Sequence, residues 1–223
     1  MPVRPLPTTC ALLLLAVAPL CGCAFDPPVV PPPPPITLPD ATSPTELMER
    51  FRLVYERQLA PEYAAVLTSD FRYTFSLESD PALVAQYGEN WGKDDEVDSA
   101  THLFDGFVSS VSGNFVPGAS SIVMSLNALQ VFDDPGHSDS SAYYKRVVVS
   151  RVVMSIELPA TPDPQVLDID ARHEFFVVRG DVAVLDPAQE PRTDRWYIRR
   201  WEDLSTSLPA VVTWGARKAV ALR

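Results

Sequence analysis

Cysteine is scarce in this chain of 223 residues, and its three cysteines, Cys10, Cys21 and Cys23, all lie within the first tenth. From Ala24 onward the chain can therefore form no disulfide, no thiolate metal site and no cysteine nucleophile. A domain without disulfides must be held by its hydrophobic core. Hydrophobic residues make up 46% of the chain and aromatic residues 9%, which is enough for a sizeable core.

The common catalytic motifs are also missing. The sequence contains no glycine-rich phosphate-binding loop, no nucleophile elbow and no zinc-binding His-Glu-x-x-His. It has three histidines, His102, His137 and His173, so a histidine-based site must use one of them. We predict no metal site and no cofactor, and no catalytic set can be assigned from these residues.

Positive charge is in short supply as well. Lysine and arginine together number 18, against 29 aspartates and glutamates, for a formal net charge of -11 at pH 7. A surface of this sign repels the phosphate backbone of nucleic acids. Nucleic acid is therefore not expected as a partner.

What the N-terminus does have is the layout of a secretion signal. Arg4 precedes an apolar run from Ala11 to Ala18. The next segment, Leu20-Cys21-Gly22-Cys23, resembles the lipobox of bacterial lipoproteins. This resemblance implies that residues 1–22 are a signal peptide and that Cys23 carries the lipid, with palmitate among its acyl chains.

The resemblance also implies a location. A lipid on Cys23 would anchor the protein to a membrane of the bacterial cell envelope. Ala24 stands where an aspartate would resemble the signal for inner-membrane retention, so the outer membrane is expected. The alternative is a transmembrane helix, but the apolar run is about half of the roughly 20 residues that span a bilayer, and Pro19 interrupts it.

A proline-rich segment follows the anchor. Nine prolines lie between Asp26 and Pro44. Proline fixes φ and lacks a backbone donor, so residues 23–42 are predicted to form an extended linker outside the core. A ligand for a proline-reading partner is the alternative. The folded domain is predicted over residues 43–223.

Hydrophobic periodicity predicts helices first and strands afterwards within this domain. Ser43-Pro44-Thr45-Glu46 is a capping box that starts a first helix. A short helix over Glu62–Leu67 and a third helix beginning at Asp94 or Asp95 follow. The predicted strands are Phe71–Ser76, Ser121–Phe132, Tyr143–Leu158, Val166–Arg179 and Asp194–Asp203. This order indicates an α+β fold with a mainly antiparallel sheet.

The order of these elements resembles the NTF2-like superfamily, also called SnoaL-like. The residues that carry the resemblance are the first two helices, Leu67–Tyr73 and the closing Trp196–Asp203. Glu96, His102 and Phe104, with the final Trp-Glu-Asp, also resemble exported members of that superfamily. The resemblance implies a cone, in which three N-terminal helices pack on a curved sheet.

Four residues are predicted to face the inside of that cone. In Val166–Arg179 the alternation places His173 on the apolar face. Tyr73, Phe75 and Trp196 should point inward by the same argument, and we take all four as ligand-pocket candidates. His173 could act as a general base or as a polar anchor, or it could be a core histidine bonded to a tyrosine or carboxylate.

The other two histidines are weaker candidates. His137 lies in a turn cluster rich in Asp, Pro and Gly and is expected to be solvated. His102 and Asp105 are three apart on the third helix and can meet on its surface, either as an acid–base pair or as a structural one.

Three kinds of function are compatible with this sequence. The first is a non-enzymatic lipoprotein module that binds an apolar small molecule or an envelope protein. The second is a SnoaL-like enzyme (an isomerase, dehydratase or cyclase) with His173 as general base, since such enzymes resemble this layout. The third is an interaction protein that forms a homodimer through its sheet. Our sequence-based prediction is the first.

Overall fold

The computed structural model describes residues 37–159, 163–187, 189, 192–205 and 213–221. The predicted signal peptide, Cys23 and most of the proline-rich linker lie outside the described residues. The described part is an α+β domain in which helices pack on a curved, mainly antiparallel sheet, so the predicted fold class is confirmed.

The described residues contain five α-helices, of which four precede the long strands. They are α1 (Pro44–Glu56), α2 (Ala60–Val66), α3 (Pro81–Tyr87), α4 (Lys93–Asp105) and α5 (Trp214–Ala221). The capping box is present in modified form: Ser43 Oγ accepts from Glu46 N at 3.2 Å, while the Glu46 carboxylate accepts from Thr42 N at 2.9 Å. Helix α3 was not predicted, because it is short and buries no residue that would mark an apolar stripe.

Six strands form the main sheet, in the order β2-β1-β8-β7-β6-β5. Their bounds are β1 (Leu67–Thr74), β2 (Asn90–Trp91), β5 (Ser121–Asp133), β6 (Tyr144–Leu158), β7 (Gln165–Arg179) and β8 (Trp196–Asp203). A separate hairpin pairs β3 (Phe107–Val108) with β4 (Phe115–Val116), and a 3-10 helix (Pro135–Ser140) joins β5 to β6. All pairs in the main sheet are antiparallel except β1 with β8.

Bulges interrupt the long strands. The β6–β7 register shifts between Val149 and Val152, and the β7–β8 register shifts between Phe176 and Val177. In β5, Ala128 adopts a φ of 52°. An extra residue on one strand bends it and increases its twist. These irregularities therefore favour the curvature of the sheet.

The concave face of the sheet and the helices enclose an aromatic core. Phe51 of α1 meets the rings of Phe175 and Trp201 edge-on, with centroids 5.4 and 5.3 Å away. Trp214 of α5 joins the same cluster, 5.2 Å from Trp201. Such tilted pairs add stability beyond the area they bury. None of the helices in the described ranges has the length and apolar character needed to cross a bilayer.

Candidate functional site

The four predicted pocket residues all lie in the core. Tyr73, Phe75, His173 and Trp196 have exposed fractions between 0 and 7%. All four side chains are thus buried, and their role as ligand-pocket residues stays a prediction. Around His173 the core becomes polar, and we call this group the interior cluster: Tyr73, Glu96, His173, Trp201, Asp203 and Lys218.

His173 is held by its neighbours on strand β8. Its Nδ1 accepts a hydrogen bond from Trp201 Nε1 at 3.0 Å and lies 3.9 Å from Asp203 Oδ1. A neutral imidazole with an acceptor at Nδ1 carries its proton on Nε2. Nε2 is buried and has no hydrogen-bond partner among the described residues. The ring thus has no lone pair available for proton abstraction in this arrangement.

Burial also keeps this ring neutral. Loss of water around His173 lowers its pKa below the usual value, although the nearby Asp203 carboxylate acts in the opposite direction. The histidine is therefore uncharged at neutral pH.

Asp203 is fixed by several donors. Its carboxylate accepts from Tyr73 OH at 3.1 Å, from Ser205 N at 2.9 Å and from the Ser205 hydroxyl. The backbone N–H of Gly215, in α5, also reaches it at 3.4 Å. A buried carboxylate with this many donors is satisfied without a counter-ion.

Glu96 and Lys218 form the charged half of the interior cluster. The Glu96 carboxylate is fully buried and accepts from Trp91 Nε1 at 2.9 Å, from Tyr63 OH and from Lys218 Nζ. Lys218 Nζ lies 3.8 Å from the ring centroid of Tyr73 and 3.7 Å from that of Trp201, a cation–π arrangement. Burial lowers the pKa of Lys218 to about 8, and Glu96 opposes that change.

Helix α5 is the element that closes this interior. Two of its residues, Trp214 and Lys218, are buried, at exposed fractions of 2 and 5%. The ammonium group of Lys218 lies at the corner formed by the perpendicular rings of Tyr73 and Trp201, whose centroids are 5.3 Å apart. No local pattern singles out Lys218, because its partner Glu96 lies 122 residues away.

A second site lies on the convex side of the sheet. This outer cleft has a volume of about 290 Å³. It is lined by Asp70, Arg72, Asp134, Gly136, His137, Phe176, Arg199 and Arg200. Guanidinium and carboxylate groups therefore face solvent together in one concave surface.

His137 is a wall of the outer cleft rather than a freely solvated turn residue. Its Nδ1 lies 2.9 Å from Asp134 Oδ2, and its ring stacks on Tyr144 with centroids 3.9 Å apart. Its Nε2 lies 3.4 Å from Arg199 Nη1, and Arg199 donates to Asp70 at 3.2 Å. The side chain keeps an exposed fraction of 31%. The prediction of solvation was therefore right only in part, since Asp134, Tyr144 and the distant Arg199 all contact the ring.

The third histidine, His102, and its predicted partner Asp105 are not part of either site. His102 stacks on Phe107, with centroids 4.7 Å apart. Asp105 is exposed, whereas His173 is fully buried, so Asp105 does not join the interior cluster. Among the described residues no group of three or more His, Cys, Asp or Glu is arranged to hold a metal ion.

Comparison with known proteins rests on structure alone. No protein-family model matches the chain, and no curated protein matches its sequence. The fold is similar to that of a scytalone dehydratase candidate from Novosphingobium aromaticivorans, with 12% identity, a TM-score of 0.46 and coverage of 73% of this chain and 81% of that one.

Two further solved structures are similar. One is an NTF2-like superfamily protein from Salmonella enterica, with 9% identity, a TM-score of 0.43 and coverage of 75% and 91% of the two chains. The other is a hexachlorocyclohexane dehydrochlorinase of type 2, with 11% identity, a TM-score of 0.44 and coverage of 75% and 92%. Likeness at this level concerns shape, and no activity of those proteins is transferred to this chain.

Proposed function

We propose that this chain is a non-enzymatic interaction module, anchored to the bacterial envelope through lipid on Cys23, which presents its outer cleft to an envelope protein. The observation that carries the proposal is the filled interior. Lys218 Nζ packs against the rings of Tyr73 and Trp201 and pairs with Glu96, while the rings of Trp201 and Trp214 lie 5.5 and 6.1 Å from that of His173, so the chain itself fills this interior.

The chemistry of His173 supports the same reading. A general base needs a free lone pair within reach of its substrate. The Nδ1 lone pair of His173 accepts from Trp201, and Nε2 carries the proton. His173 is also fully buried. In this state the ring acts as a packed, hydrogen-bonded core residue.

The outer cleft has the character of a protein-binding surface. Arg200 stacks over Phe176 with its guanidinium carbon 3.6 Å from the ring centroid, and Arg199 and Arg72 lie beside it. Arginine and aromatic side chains are enriched at protein interfaces, where they bind carboxylates and carbonyl groups. A homodimer remains a prediction from sequence.

Histidine acylation tests the closed interior. Diethyl pyrocarbonate modifies accessible imidazoles, and mass spectrometry locates the modified residue. We expect His137 to react readily and His173 to stay protected in the folded protein. His137 is the internal control, because it shows that the reagent is active on the same molecule. Equal rates at the two residues would overturn the proposal, because the interior would then be open.

The anchor has its own test. Replacing the lipidated thiol in Cys23→Ser should abolish palmitate labelling and shift the protein out of the membrane fraction. The matched control is Cys21→Ser, two residues away, which should leave both unchanged. If Cys23→Ser fractionates with membranes as the unaltered chain does, the lipid anchor is wrong.

The second candidate is a SnoaL-like enzyme with His173 as general base. One observation favours it: His173, Asp203 and Tyr73 converge around the space that α5 fills. Catalysis would require α5 to withdraw and His173 to lose the hydrogen bond from Trp201. Rapid acylation of His173 in the resting protein would support this candidate over the first.

A further inference from the structure

We propose that the interior cluster is a binding site for the primary ammonium group of a small alkylammonium ligand, and that Lys218 occupies this site in the resting chain. The inference goes beyond the proposed function, which concerns the outer cleft. It rests on three independent features of the interior.

The first feature is a carboxylate that does not depend on Lys218. Glu96 accepts hydrogen bonds from Trp91 Nε1 and Tyr63 OH, both of which belong to the body of the domain. Withdrawal of α5 would therefore leave Glu96 oriented and ready to accept another cation. A side chain that served only to neutralise Lys218 would not need this support.

The second feature is the shape and charge of the aromatic cage, by which we mean the rings of Tyr73 and Trp201 that face the ammonium group. The rings of Tyr73 and Trp201 present their faces to the ammonium group at 3.8 and 3.7 Å. The interior cluster contains two carboxylates, Glu96 and Asp203, against one ammonium, because His173 is neutral. Aromatic faces and an excess of negative charge select a cation with an apolar body.

The third feature is the incomplete docking of α5. Trp214 Nε1 and Arg217 Nε, on the helix, are buried without a hydrogen-bond partner among the described residues. His173 Nε2 and Asp80 Oδ2, on the domain side, are in the same condition. Buried polar atoms that lack partners favour separation of the surfaces that bury them. The docking of α5 is thus only partly satisfied, although Thr213 donates to Asp80 Oδ1 and Ser99 donates to Lys218 O, and we infer that a ligand can displace it.

Chemical rescue tests the site directly. Lys218→Ala, in the full mature chain in a mild detergent, removes the three methylenes and the ammonium group that n-propylammonium would replace. We expect n-propylammonium chloride to raise the Tm of this variant by about 3 °C when it saturates the site. Neutral n-propanol should give no comparable rise. The double variant Lys218→Ala/Glu96→Gln should lose the response to the amine.

Displacement of α5 in the unaltered chain is the second measurement. A saturating alkylammonium should increase deuterium uptake in residues 213–221 and acylation of His173, with sodium chloride at equal ionic strength as the control. Failure of both the rescue and the displacement overturns the inference, as does an equal rescue by n-propanol. If Lys218→Ala does not fold, the displacement experiment decides alone. The acylation ratio without amine tests the outer-cleft proposal separately.

Discussion

The two faces of the sheet carry histidine clusters of similar composition and opposite character. On the concave face, His173 lies beside Asp203 and bonds to Trp201, and all three are almost completely buried. On the convex face, His137 lies beside Asp134 and stacks on Tyr144, with about a third of its side chain exposed. The difference lies in what covers them, because α5 closes the first cluster while solvent reaches the second.

This comparison shows why residue type alone does not identify a site. A histidine beside an aspartate suggests acid–base chemistry in either place. In the interior the ring has no free lone pair and no access, so its present role is structural. In the outer cleft the same pair borders open space and arginines, where it can meet a partner. The following predictions test this contrast, from the largest expected effect to the smallest.

The largest difference in stability is expected between substitutions of the two aromatic partners, Trp201 beside His173 and Tyr144 beside His137. Trp201→Ala removes a fully buried ring that contacts Phe51, Phe175 and Trp214, and we expect a loss of about 4 kcal/mol in the free energy of unfolding. Tyr144→Ala, at a half-buried position, should lose about 1 kcal/mol. Urea unfolding followed by circular dichroism measures both. Similar losses would contradict the contrast between the two faces.

The next largest difference in stability is expected between two charged pairs, one buried in the interior cluster and one at the outer cleft. Glu96→Gln leaves the ammonium of Lys218 buried without its counter-ion, which should cost about 3 kcal/mol of stability. Asp70→Asn, which breaks the partly exposed pair with Arg199, should cost less than about 1 kcal/mol. The double variant Glu96→Gln/Lys218→Met should recover part of the first loss. No recovery would show that Glu96 acts through contacts other than Lys218.

The pH dependence of stability should distinguish the histidines. Because folding lowers the pKa of His173, the unfolded chain binds this proton more tightly, and acid favours unfolding. Stability from this residue is complete above about pH 6.5 and is lost at about 1.4 kcal/mol per pH unit below that, until the folded-state pKa is reached. His173→Gln should flatten the profile between pH 5 and 7. Parallel urea-unfolding profiles for the two proteins would refute the assignment.

The smallest effect is expected at the outer cleft. His137→Ala removes a partly exposed ring, so the free energy of unfolding should change by less than about 1 kcal/mol. Thermal unfolding measures this change. A much larger loss would mean that His137 is part of the structural core of the sheet and not a surface residue available to a partner.

The alternation of apolar and polar residues predicts which side chains point into the core only where a strand is regular. His173 was predicted to lie on the apolar face, and it is buried because burial alternates along β7 from Ile169 to His173. Strand β8 behaves differently. Continuing the alternation from Trp196 and Ile198 would place Arg200 inward, but the register shift in the β7–β8 pairing brings Trp201 and Asp203 inward instead. The two consecutive arginines between Ile198 and Trp201 are the trace of this bulge in the sequence.

The outer cleft and the Lys218 cage could not be predicted for another reason. Their residues are far apart in the chain: Arg199 and His137 differ by 62 positions. Periodicity reports which face a residue occupies and does not report which residues meet across the sheet.

The distance between Glu96 and Lys218 along the chain has a kinetic consequence. Contacts that join residues 122 positions apart close a long loop, and such contacts form slowly compared with local helices and hairpins. The pairing of β1 with β8, which joins Leu67 to Ile198, closes a loop of similar length, so the ion pair is expected to form as the sheet closes. Until then Glu96 and Asp203 remain in contact with water, and α5 shields their negative charge only when β1 and β8 have met.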